Sequence, residues 1–391
     1  MRYLVVCDHS ATYVAGVQSA LRRQIRALVE AGHQVVFVAP NATEVDLPLG
    51  AETVEPPKAR VQVPIVNFPI YTNSQRVQRF FDALIESANP DVVVSHSEGG
   101  LAVSAAKAAK GRDIPVIHVV HSFFITLDVW VPLPTKLIAR LYERFMRIDF
   151  ANQDLSPKRL NNFLLNYVLA FAKFADAVVS PSQHQARALQ EAGIANVEVI
   201  SNVTELVETA RPLPEFSSLK IVWVGRFSPE KRLDVALEGV RLARAELDSM
   251  GLGTDRIHLD VVGGDPRDDL VATWHGRVSS TRVGELLDAS HAVLLTSHNF
   301  DNQPMVVLEA FARGRAAILS DPKLAEEFGA GSILAADPSA EGLARTLVEL
   351  VTNPDRVSKA ASHARELSAL STATNHVAKL EALISRMTSR K

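Results

Sequence analysis

Short runs of aliphatic residues recur along the whole chain, and stretches with helical spacing separate them. The first of these units is typical of the rest: residues 3–7 and 33–40 are apolar, and residues 17–31 between them have a helical pattern that ends at Gly32. Runs that are apolar throughout indicate strands covered on both faces, and strands joined through helices lie parallel. The pattern therefore predicts an α/β fold built on parallel sheets.

The alternation is interrupted once, near the middle of the chain. Residues 201–216 contain Pro212, Pro214 and several acids, a composition typical of a linker, and an apolar run restarts at Leu219–Val224. A chain of 391 residues is also too long for one ordinary core. We therefore predict a Rossmann-like N-terminal domain at 1–203, a hinge at 204–216, a second Rossmann-like domain at 217–368, and a final helix at 369–391 that packs back towards the first domain.

Composition and charge exclude several classes of protein. The chain is 47% hydrophobic and 22% charged with a net charge of −3, which is ordinary for a globular protein and gives no reason to expect nucleic acid as a partner. The single cysteine, Cys7, lies in an apolar run, so we expect a buried thiol and no internal disulfide. No signal-like start and no run near 18 apolar residues is visible. We expect a cytoplasmic protein without a transmembrane helix.

The stretch around which the second half is organised is a polar loop, residues 296–304, between the apolar run Ala292–Leu295 and a helix from Met305. Asp301 lies in this loop and Glu309 near the start of the helix. At the carboxyl end of a parallel strand both carboxylates can face a ligand crevice, where the first helical amides favour an anion. The alternative is that Asp301 caps the helix and Glu309 is a solvated first-turn acid.

A second motif, Gly-Arg-Phe-Ser-Pro-Glu-Lys-Arg at 225–232, follows the apolar run Leu219–Val224. Arg226 and Lys231 on a glycine-led turn suit a diphosphate, because fixed cations hold it and stabilise a departing phosphate oxygen. A solvated basic turn is the alternative interpretation.

Two residues of the first half are candidates for the same ligand. Gly16 precedes a helix and lets phosphates approach the backbone, although turn geometry alone also explains a glycine there. His121 follows the apolar run at 115–120 and can bond a sugar hydroxyl or carry a proton, the alternative being a structural histidine. The three spaced glycines of a dinucleotide motif are absent, so the sequence does not favour an oxidoreductase.

Residues 130–174 combine apolar and basic side chains at helical spacing. This pattern favours contact with an anionic membrane surface and an apolar acceptor, or else two helices that pack on the sheet while their arginines stay solvated. The segment includes the apolar residues Trp130, Leu133, Leu137, Leu141 and Phe145 and the basic residues Lys136, Arg140, Arg144 and Arg147.

Two motifs of the second half together resemble a known family. They are Val-Trp-Val-Gly-Arg-Phe-Ser-Pro-Glu-Lys-Arg-Leu-Asp at 222–234 and Asp-Asn-Gln-Pro-Met-Val-Val-Leu-Glu-Ala-Phe-Ala-Arg-Gly at 301–314. With Asn-Pro-Asp at 89–91 and Ile-Ser-Asn at 200–202, the chain resembles the retaining, nucleotide-sugar-dependent glycosyltransferases of family 4, in particular the glycolipid, phosphatidylinositol and diacylglycerol hexosyltransferase branch. The resemblance implies the GT-B architecture, two facing Rossmann-like domains with a cleft between them.

The resemblance also implies roles for single residues. Arg226 and Lys231 would hold the donor diphosphate, Gly16 would let it approach the first domain, and His121 would lie near the reacting carbon. Glu309 would accept hydrogen bonds from the ribose hydroxyls.

Asp301 would accept hydrogen bonds from hydroxyls of the donor sugar, which suits an acceptor-only carboxylate. The remaining donor-binding residues implied by the resemblance are Gln303, Met305 and Val306, whose amides would line the sugar and phosphate pocket, and Arg277 and Val278 beside the base.

The chain departs from the family pattern at three places. Asp301 replaces the usual glutamate, Asn-Gln-Pro at 302–304 replaces a small glycine-containing turn, and Val203 replaces a glycine after the hinge asparagine. The shorter Asp301 weakens its implied sugar contact, and the changed turn can alter sugar preference.

The hypothesis is a retaining transferase that moves a hexose, glucose or mannose, from a UDP-sugar or GDP-sugar to an acceptor hydroxyl on a lipid or glycolipid. Front-face attack would let the leaving phosphate take the acceptor's proton, with no cofactor and no metal required, since Arg226, Lys231 and helix amides supply positive charge. The protein would lie peripherally on the inner face of a membrane. The alternatives are a sugar-nucleotide-binding protein without transfer activity and another GT-B enzyme, such as a sugar-nucleotide epimerase; oligomeric state stays open.

Overall fold

The computed structural model describes residues 1–13, 16–59, 61–63, 68–123, 134–205 and 211–389. The chain divides into two compact units, unit 1 with residues 1–203 and 373–391 and unit 2 with residues 204–372. Each unit contains one parallel sheet flanked by helices. The predicted α/β fold with two Rossmann-like domains is confirmed.

The sheet of unit 1 is parallel throughout and has the order β3-β2-β1-β6-β7-β8-β9 within the described residues. A separate antiparallel pair is formed by β4 and β5. The strands are β1 Arg2–Val6, β2 Gln34–Val38, β3 Ala51–Val54, β4 Val61–Val63, β5 Phe68–Ile70, β6 Val92–Ser95, β7 Val116–Val119, β8 Ala177–Ser180 and β9 Val197–Val199.

Helices cover both faces of this sheet because each has one apolar face. Ile25 and Leu28 of the first helix share a core cluster with Leu380 and Ile384 of the C-terminal helix, Ala373–Thr388, which therefore belongs to unit 1. The other helices of the unit are α1 Gly16–Glu30, α2 Gln75–Ala88, α3 Gly100–Lys110, α4 Thr135–Met146, α5 Arg159–Phe174 and α6 Gln183–Glu191.

Unit 2 has a parallel sheet with the order β12-β11-β10-β13-β14-β15. Trp223, in the central strand β10, is almost fully buried in the core. The elements are β10 Leu219–Val224, α7 Leu233–Ser249, β11 Ile257–Val262, β12 Thr273–Gly276, α8 Ser280–Asp288, β13 Ala292–Leu295, α9 Met305–Ala312, β14 Ala316–Leu319, α10 Pro322–Phe328, β15 Ser332–Leu334, α11 Ala340–Thr352 and α12 Asp355–Ser368.

Close backbone approach shapes the loops at the carboxyl ends of β10 and β11. Gly263 has φ +115°, and a Cβ there would lie 1.9 Å from the carbonyl oxygen of Gly225. A Cβ on Gly264 would lie 2.3 Å from the ring of Phe227. These positions need glycine on steric grounds, and they hold the two loops together at one edge of the sheet.

The segment predicted to be amphipathic forms α4 and α5, while Trp130 and Leu133 lie outside the described residues. Most of the C-terminal half of α5 is buried, as the packing interpretation predicts. Helix α4 differs, because Tyr142 and Met146 are buried but the opposite face is exposed. No helix in the described part of the chain is both long and apolar enough to span a membrane.

Candidate active site

A buried threonine at the end of β13 joins the two motifs of unit 2. Thr296 Oγ1 lies 2.9 Å from the carbonyl oxygens of both Lys231 and Arg232, and it accepts a hydrogen bond from the Trp223 indole at 3.1 Å. The turn after β10 is thereby fixed against the loop after β13. This explains why residues far apart in sequence meet at the carboxyl edge of the sheet.

Lys231 and Asp301 form an ion pair at this edge. Lys231 Nζ donates to Asp301 Oδ1 at 2.6 Å, and the side chains are only 16% and 12% exposed. The Ser297 hydroxyl donates to the other carboxylate oxygen of Asp301. The alternative in which Asp301 caps α9 is wrong, because Pro304 occupies the N-cap position and no side chain caps the helix.

Arg226 lies on the same basic turn, residues 225–232, in a more open setting. Its guanidinium is half exposed and pairs with Glu230 Oε1 at 3.3 Å, while the Ser228 hydroxyl donates to the same oxygen at 2.6 Å. An exposed pair of this kind contributes at most about 1 kcal/mol. Arg226 can therefore turn towards an anionic ligand at little energetic cost.

The basic turn does not lead directly into a long helix as its sequence indicates. Pro229–Lys231 form one turn of 3-10 helix, Arg232 adopts a left-handed conformation with φ 50°, and α7 begins at Leu233. Thr296 holds the carbonyl groups of Lys231 and Arg232 in this geometry. The break directs the Lys231 side chain towards Asp301.

The implied pocket residues on α9 lie at its start. Met305 and Val306 are the first two residues of the helix, where amides have no partner in a preceding turn, and the half-buried Gln303 precedes them. Glu309 is the fifth helical residue and lies in the second turn. The alternative that treats Glu309 as a first-turn acid is therefore wrong.

The two residues expected beside the base follow the edge strand β12. Arg277 is exposed, and Val278 packs partly against the core of unit 2. Sequence reasoning missed a neighbouring feature: the guanidinium of Arg267 lies 5.1 Å from the ring centre of Phe227 and 5.8 Å from that of Trp274. No local pattern signals this stack, because its residues come from three separate loops and strands.

In unit 1, Gly16 is the first residue of α1. Among the described residues, a Cβ added there would meet no atom within 4 Å. The approach of a donor diphosphate to the backbone of Gly16 stays a prediction.

His121 follows β7 and contacts a second histidine that follows β6. His121 Nε2 and His96 Nδ1 are 2.8 Å apart, and the rings stack with centres 5.0 Å apart. Desolvation lowers the pKa of His121 to about 4, with nearby Glu98 opposing the shift, and it lowers the pKa of His96 well below the ordinary value. Both rings are therefore neutral at neutral pH.

Two acidic residues near this pair also have defined partners. Glu98 accepts a hydrogen bond from His118 Nε2 at 3.1 Å. Burial alone would raise the pKa of Glu98, but this hydrogen bond and the nearby histidine charge outweigh it and lower the pKa. Asp8, which follows β1, is buried and accepts a hydrogen bond from the hydroxyl of Ser97 at 2.8 Å. Its carboxylate also accepts from amide groups at the start of α3, those of Gly99, Leu101 and Ala102.

Burial raises the pKa of Asp8, while the backbone amides of α3 and Ser97 oppose the shift. The carboxylate fills the amino end of α3, and a Cβ on Gly99 would lie 2.5 Å from it. Sequence reasoning assigned no role to Asp8, His96 or Glu98. The available signal was their position within a few residues after apolar runs, a signal similar to the one that identified His121.

A cavity of about 390 Å³ lies at the opposite, amino edge of the unit 1 sheet. It is lined by residues that include Asp176, Glu198 and Arg386, and it contains none of the predicted site residues. Ligands of parallel sheets bind at the carboxyl edge. The candidate site is therefore placed at the carboxyl edges and not at this cavity.

Comparison with known families covers most of the chain. Residues 14–207 match Glycosyltransferase Family 4, and residues 218–353 match the glycosyl transferases group 1 family. No curated protein matches the chain in sequence.

Solved structures share the fold over nearly the full length of the chain. Anabaena HepE, in complex with UDP and glucose, has a TM-score of 0.63 and 14% identity, covering 98% of this chain and 99% of that chain. A TarM variant from S. aureus has a TM-score of 0.69 and 11% identity over 98% and 100% of the two chains. Sucrose-phosphate synthase from Thermosynechococcus elongatus has a TM-score of 0.69 and 13% identity over 100% of both chains. The chain therefore has the fold of the GT-B glycosyltransferases, and its two parts match two glycosyltransferase family models, Family 4 first and group 1 second.

Proposed function

We propose that the protein is a retaining hexosyltransferase that uses a nucleotide diphosphate sugar as donor. The observation that carries this proposal is the paired Lys231 and Asp301 beside Arg226, at the carboxyl edge of a sheet in a glycosyl transferases group 1 domain. One site thus offers cations for a diphosphate and a carboxylate for sugar hydroxyls.

The ion pair has a direct interpretation in this proposal. Lys231 and Asp301 neutralise each other at 2.6 Å. When donor binds, the Lys231 ammonium turns to a phosphate oxygen and Asp301 accepts a sugar hydroxyl, so both groups keep a partner. Because the pair is mostly buried, exchanging partners avoids leaving either group without a hydrogen-bond partner.

The positive charge of Arg226 and Lys231 and the amides of Met305 and Val306 would stabilise the diphosphate as the glycosidic bond breaks. Retention then follows from front-face attack, in which the leaving phosphate oxygen takes the proton of the acceptor hydroxyl. This scheme requires no cofactor and no metal ion. Glu309 would bind the ribose hydroxyls, and Arg277 and Val278 would contact the base.

UDP-sugars are the first donors to test. HepE has been solved with UDP-glucose, and the S. aureus TarM variant was solved with UDP. These are properties of those proteins, and they rank UDP-glucose ahead of a GDP-hexose for this chain. The replacement of the usual glutamate by Asp301 makes sugar preference a separate question.

The direct test is an assay for UDP or GDP release from the common UDP- and GDP-hexoses, with and without a membrane lipid extract. Acceptor-dependent release that is lost in Asp301→Asn supports the proposal. Nucleotide-sugar binding without release or transfer would favour the binding-protein alternative. Interconversion of the sugar nucleotides would favour an epimerase.

The acceptor side of the proposal is carried by the exposed face of α4. Leu137, Leu141 and Phe145 are 54%, 41% and 50% exposed and are spaced by four residues, which places them on one stripe. The basic side chains that flank this apolar stripe are Lys136, Arg140 and Arg144, all exposed. Such a face fits an anionic membrane surface, so we propose peripheral binding and a lipid or glycolipid acceptor.

Vesicle sedimentation tests this part. We expect binding to vesicles that contain phosphatidylglycerol, weaker binding to pure phosphatidylcholine, and a further decrease with salt. Leu141→Ser combined with Phe145→Ser should reduce binding several-fold, whereas Leu370→Ser, at an exposed leucine of unit 2, should not. Equal binding by the two variants, or no binding by the parent, would contradict the membrane-binding proposal and favour a soluble acceptor.

A further inference from the structure

A buried chain of hydrogen bonds links His121 to the C-terminal helix. His121 Nε2 and His96 Nδ1 are 2.8 Å apart, and His96 Nε2 lies 2.7 Å from Gln24 Oε1. Gln24 Nε2 lies 2.8 Å from His376 Nε2, and His376 Nδ1 lies 2.7 Å from the carbonyl oxygen of Ser201. Gln24, His96 and His376 are all buried. We call these five groups the histidine chain.

The Ser201 end of the histidine chain determines which group donates and which accepts in each hydrogen bond. The Ser201 carbonyl can only accept, so His376 must donate from Nδ1. Desolvation lowers the pKa of His376 to about 4, with its hydrogen bond to Ser201 opposing the shift. The neutral ring therefore has no proton on Nε2, and Nε2 accepts from the amide group of Gln24.

Gln24 extends this donor and acceptor order because its side-chain amide has a donor group, NH₂, and an acceptor group, the carbonyl oxygen. With its NH₂ group donating to His376, its carbonyl oxygen faces His96 and accepts from His96 Nε2–H. The opposite amide orientation would require protons on both nitrogens of His376. That is a buried imidazolium facing no carboxylate in the chain of contacts, which desolvation disfavours.

The last step reaches His121. His96 is neutral and carries its proton on Nε2, so His96 Nδ1 is an acceptor and His121 must donate from Nε2. His121 then carries its lone pair on Nδ1. An acceptor-only backbone carbonyl thus selects one tautomer of a ring four hydrogen bonds away.

We propose that Gln24, His96 and His376 are positioning residues that hold His121 as its Nε2–H tautomer, in which Nδ1 is the acceptor nitrogen, and that this tautomer supports turnover. The catalytic consequence rests on the proposed function, in which His121 contacts the sugar. The tautomer itself does not. The C-terminal helix contributes to the site through His376, although His376 touches no substrate.

Long-range ¹H–¹⁵N NMR of the full-length, deuterated protein with ¹⁵N-labelled histidine reads the tautomer directly, and His121→Gln assigns the signals. We expect a protonated Nε2 and an unprotonated Nδ1 for His121 at neutral pH. Gln24→Leu, which removes both hydrogen bonds, should produce a mixture of tautomers. Gln24→Glu should keep the parental tautomer, because a carboxylate still accepts from His96 Nε2–H while His376 gains a proton.

Steady-state kinetics of sugar transfer provide the second test. Gln24→Leu should lower kcat roughly tenfold or more with little change in donor KM, and Gln24→Glu should restore most of it. His376→Phe should act like Gln24→Leu, whereas His291→Phe removes an equally buried histidine of unit 2 and should leave the His121 signals unchanged. A loss that reflected only reduced folding would appear in His291→Phe as well.

An Nδ1–H tautomer of His121 in the parent, or unchanged His121 signals in both Gln24→Leu and His376→Phe, would overturn the proposal. A changed tautomer with unchanged kcat would overturn its catalytic part. If the protein transferred no sugar but the tautomers followed the pattern above, the proposed function would fail while the histidine chain stood. Because the NMR reading needs no activity, the two failures are distinguishable.

Discussion

The carboxyl edges of the two sheets are built in opposite ways. In unit 2 the polar groups are charged and paired, as Lys231 with Asp301, and Arg226 is half exposed. In unit 1 the neutral rings of His121 and His96 are joined to buried partners by hydrogen bonds, with the carboxylates of Asp8 and Glu98 nearby. Charged groups that can exchange partners suit a charged ligand. A buried neutral chain suits the orientation of one ring, because each link admits few alternatives.

The largest effect in this comparison is expected at Lys231. Lys231→Ala removes the better-buried cation and leaves Asp301 without its ion-pair partner, so we expect kcat/KM to fall roughly 10²- to 10³-fold. Steady-state nucleotide release measures the change. Arg241→Ala is the matched control, because Arg241 forms ion pairs on the exposed surface of the same unit. Similar losses in both variants would contradict the special role of the Lys231 pair.

The next largest difference between the two units is expected from glycine substitutions. Gly263→Ala places a Cβ 1.9 Å from a backbone oxygen at φ +115°, and we expect it to lower the free energy of unfolding by roughly 2–3 kcal/mol. Gly16→Ala meets nothing within 4 Å and should change it by less than about 0.5 kcal/mol.

Urea unfolding followed by circular dichroism tests both glycines. Gly16→Ala should still weaken donor binding if its backbone is approached by the diphosphate. A destabilised Gly16→Ala, or a fully stable Gly263→Ala, would show that the steric difference between the two edges is wrong.

Acid should affect unit 1 through its buried histidines. The pKa of His376 is about 4 when folded, below its ordinary 6.5, so the unfolded state takes up a proton first as pH falls. The free energy of unfolding is therefore unaffected by this group above pH 6.5. It decreases by roughly 3 kcal/mol as the pH falls from 6.5 towards about 4.

Hydrogen exchange at neutral pH and near pH 5 measures this effect, with peptides from α1 reporting on unit 1 and peptides from α7 reporting on unit 2. We expect the protection of α1 to fall more steeply with acid, and His376→Phe to flatten that dependence. The same slope in the parent and in His376→Phe would refute the assignment.

The sequence predicted the elements of both units well, for a physical reason. Short strands covered on both faces are apolar throughout, so the bounds of β10 and β13 follow directly from composition. Met305 was also predicted as the start of α9, after a loop that ends in Pro304. The predicted hinge at 204–216 includes residues 206–210, which lie outside the described residues.

The candidate site was only partly predictable. Lys231 and Asp301 belong to two continuous motifs, but their contact depends on Thr296 binding the carbonyls of the basic turn, a tertiary interaction with no local signature. Gln24 and His376 were missed because each lies on an ordinary amphipathic helix. Their role exists only when the C-terminal helix packs against α1.

The most direct test of the central claim is a thermal-shift titration with UDP, GDP and ADP, comparing the parent with Lys231→Ala and Arg241→Ala. A nucleotide at about a hundredfold above its Kd should stabilise the parent by roughly 2.7 kcal/mol. We predict that one nucleotide, UDP first, stabilises the parent and Arg241→Ala but not Lys231→Ala. If no nucleotide stabilises the parent, or if Lys231→Ala responds as strongly as the parent, the carboxyl edge of unit 2 is not a diphosphate site.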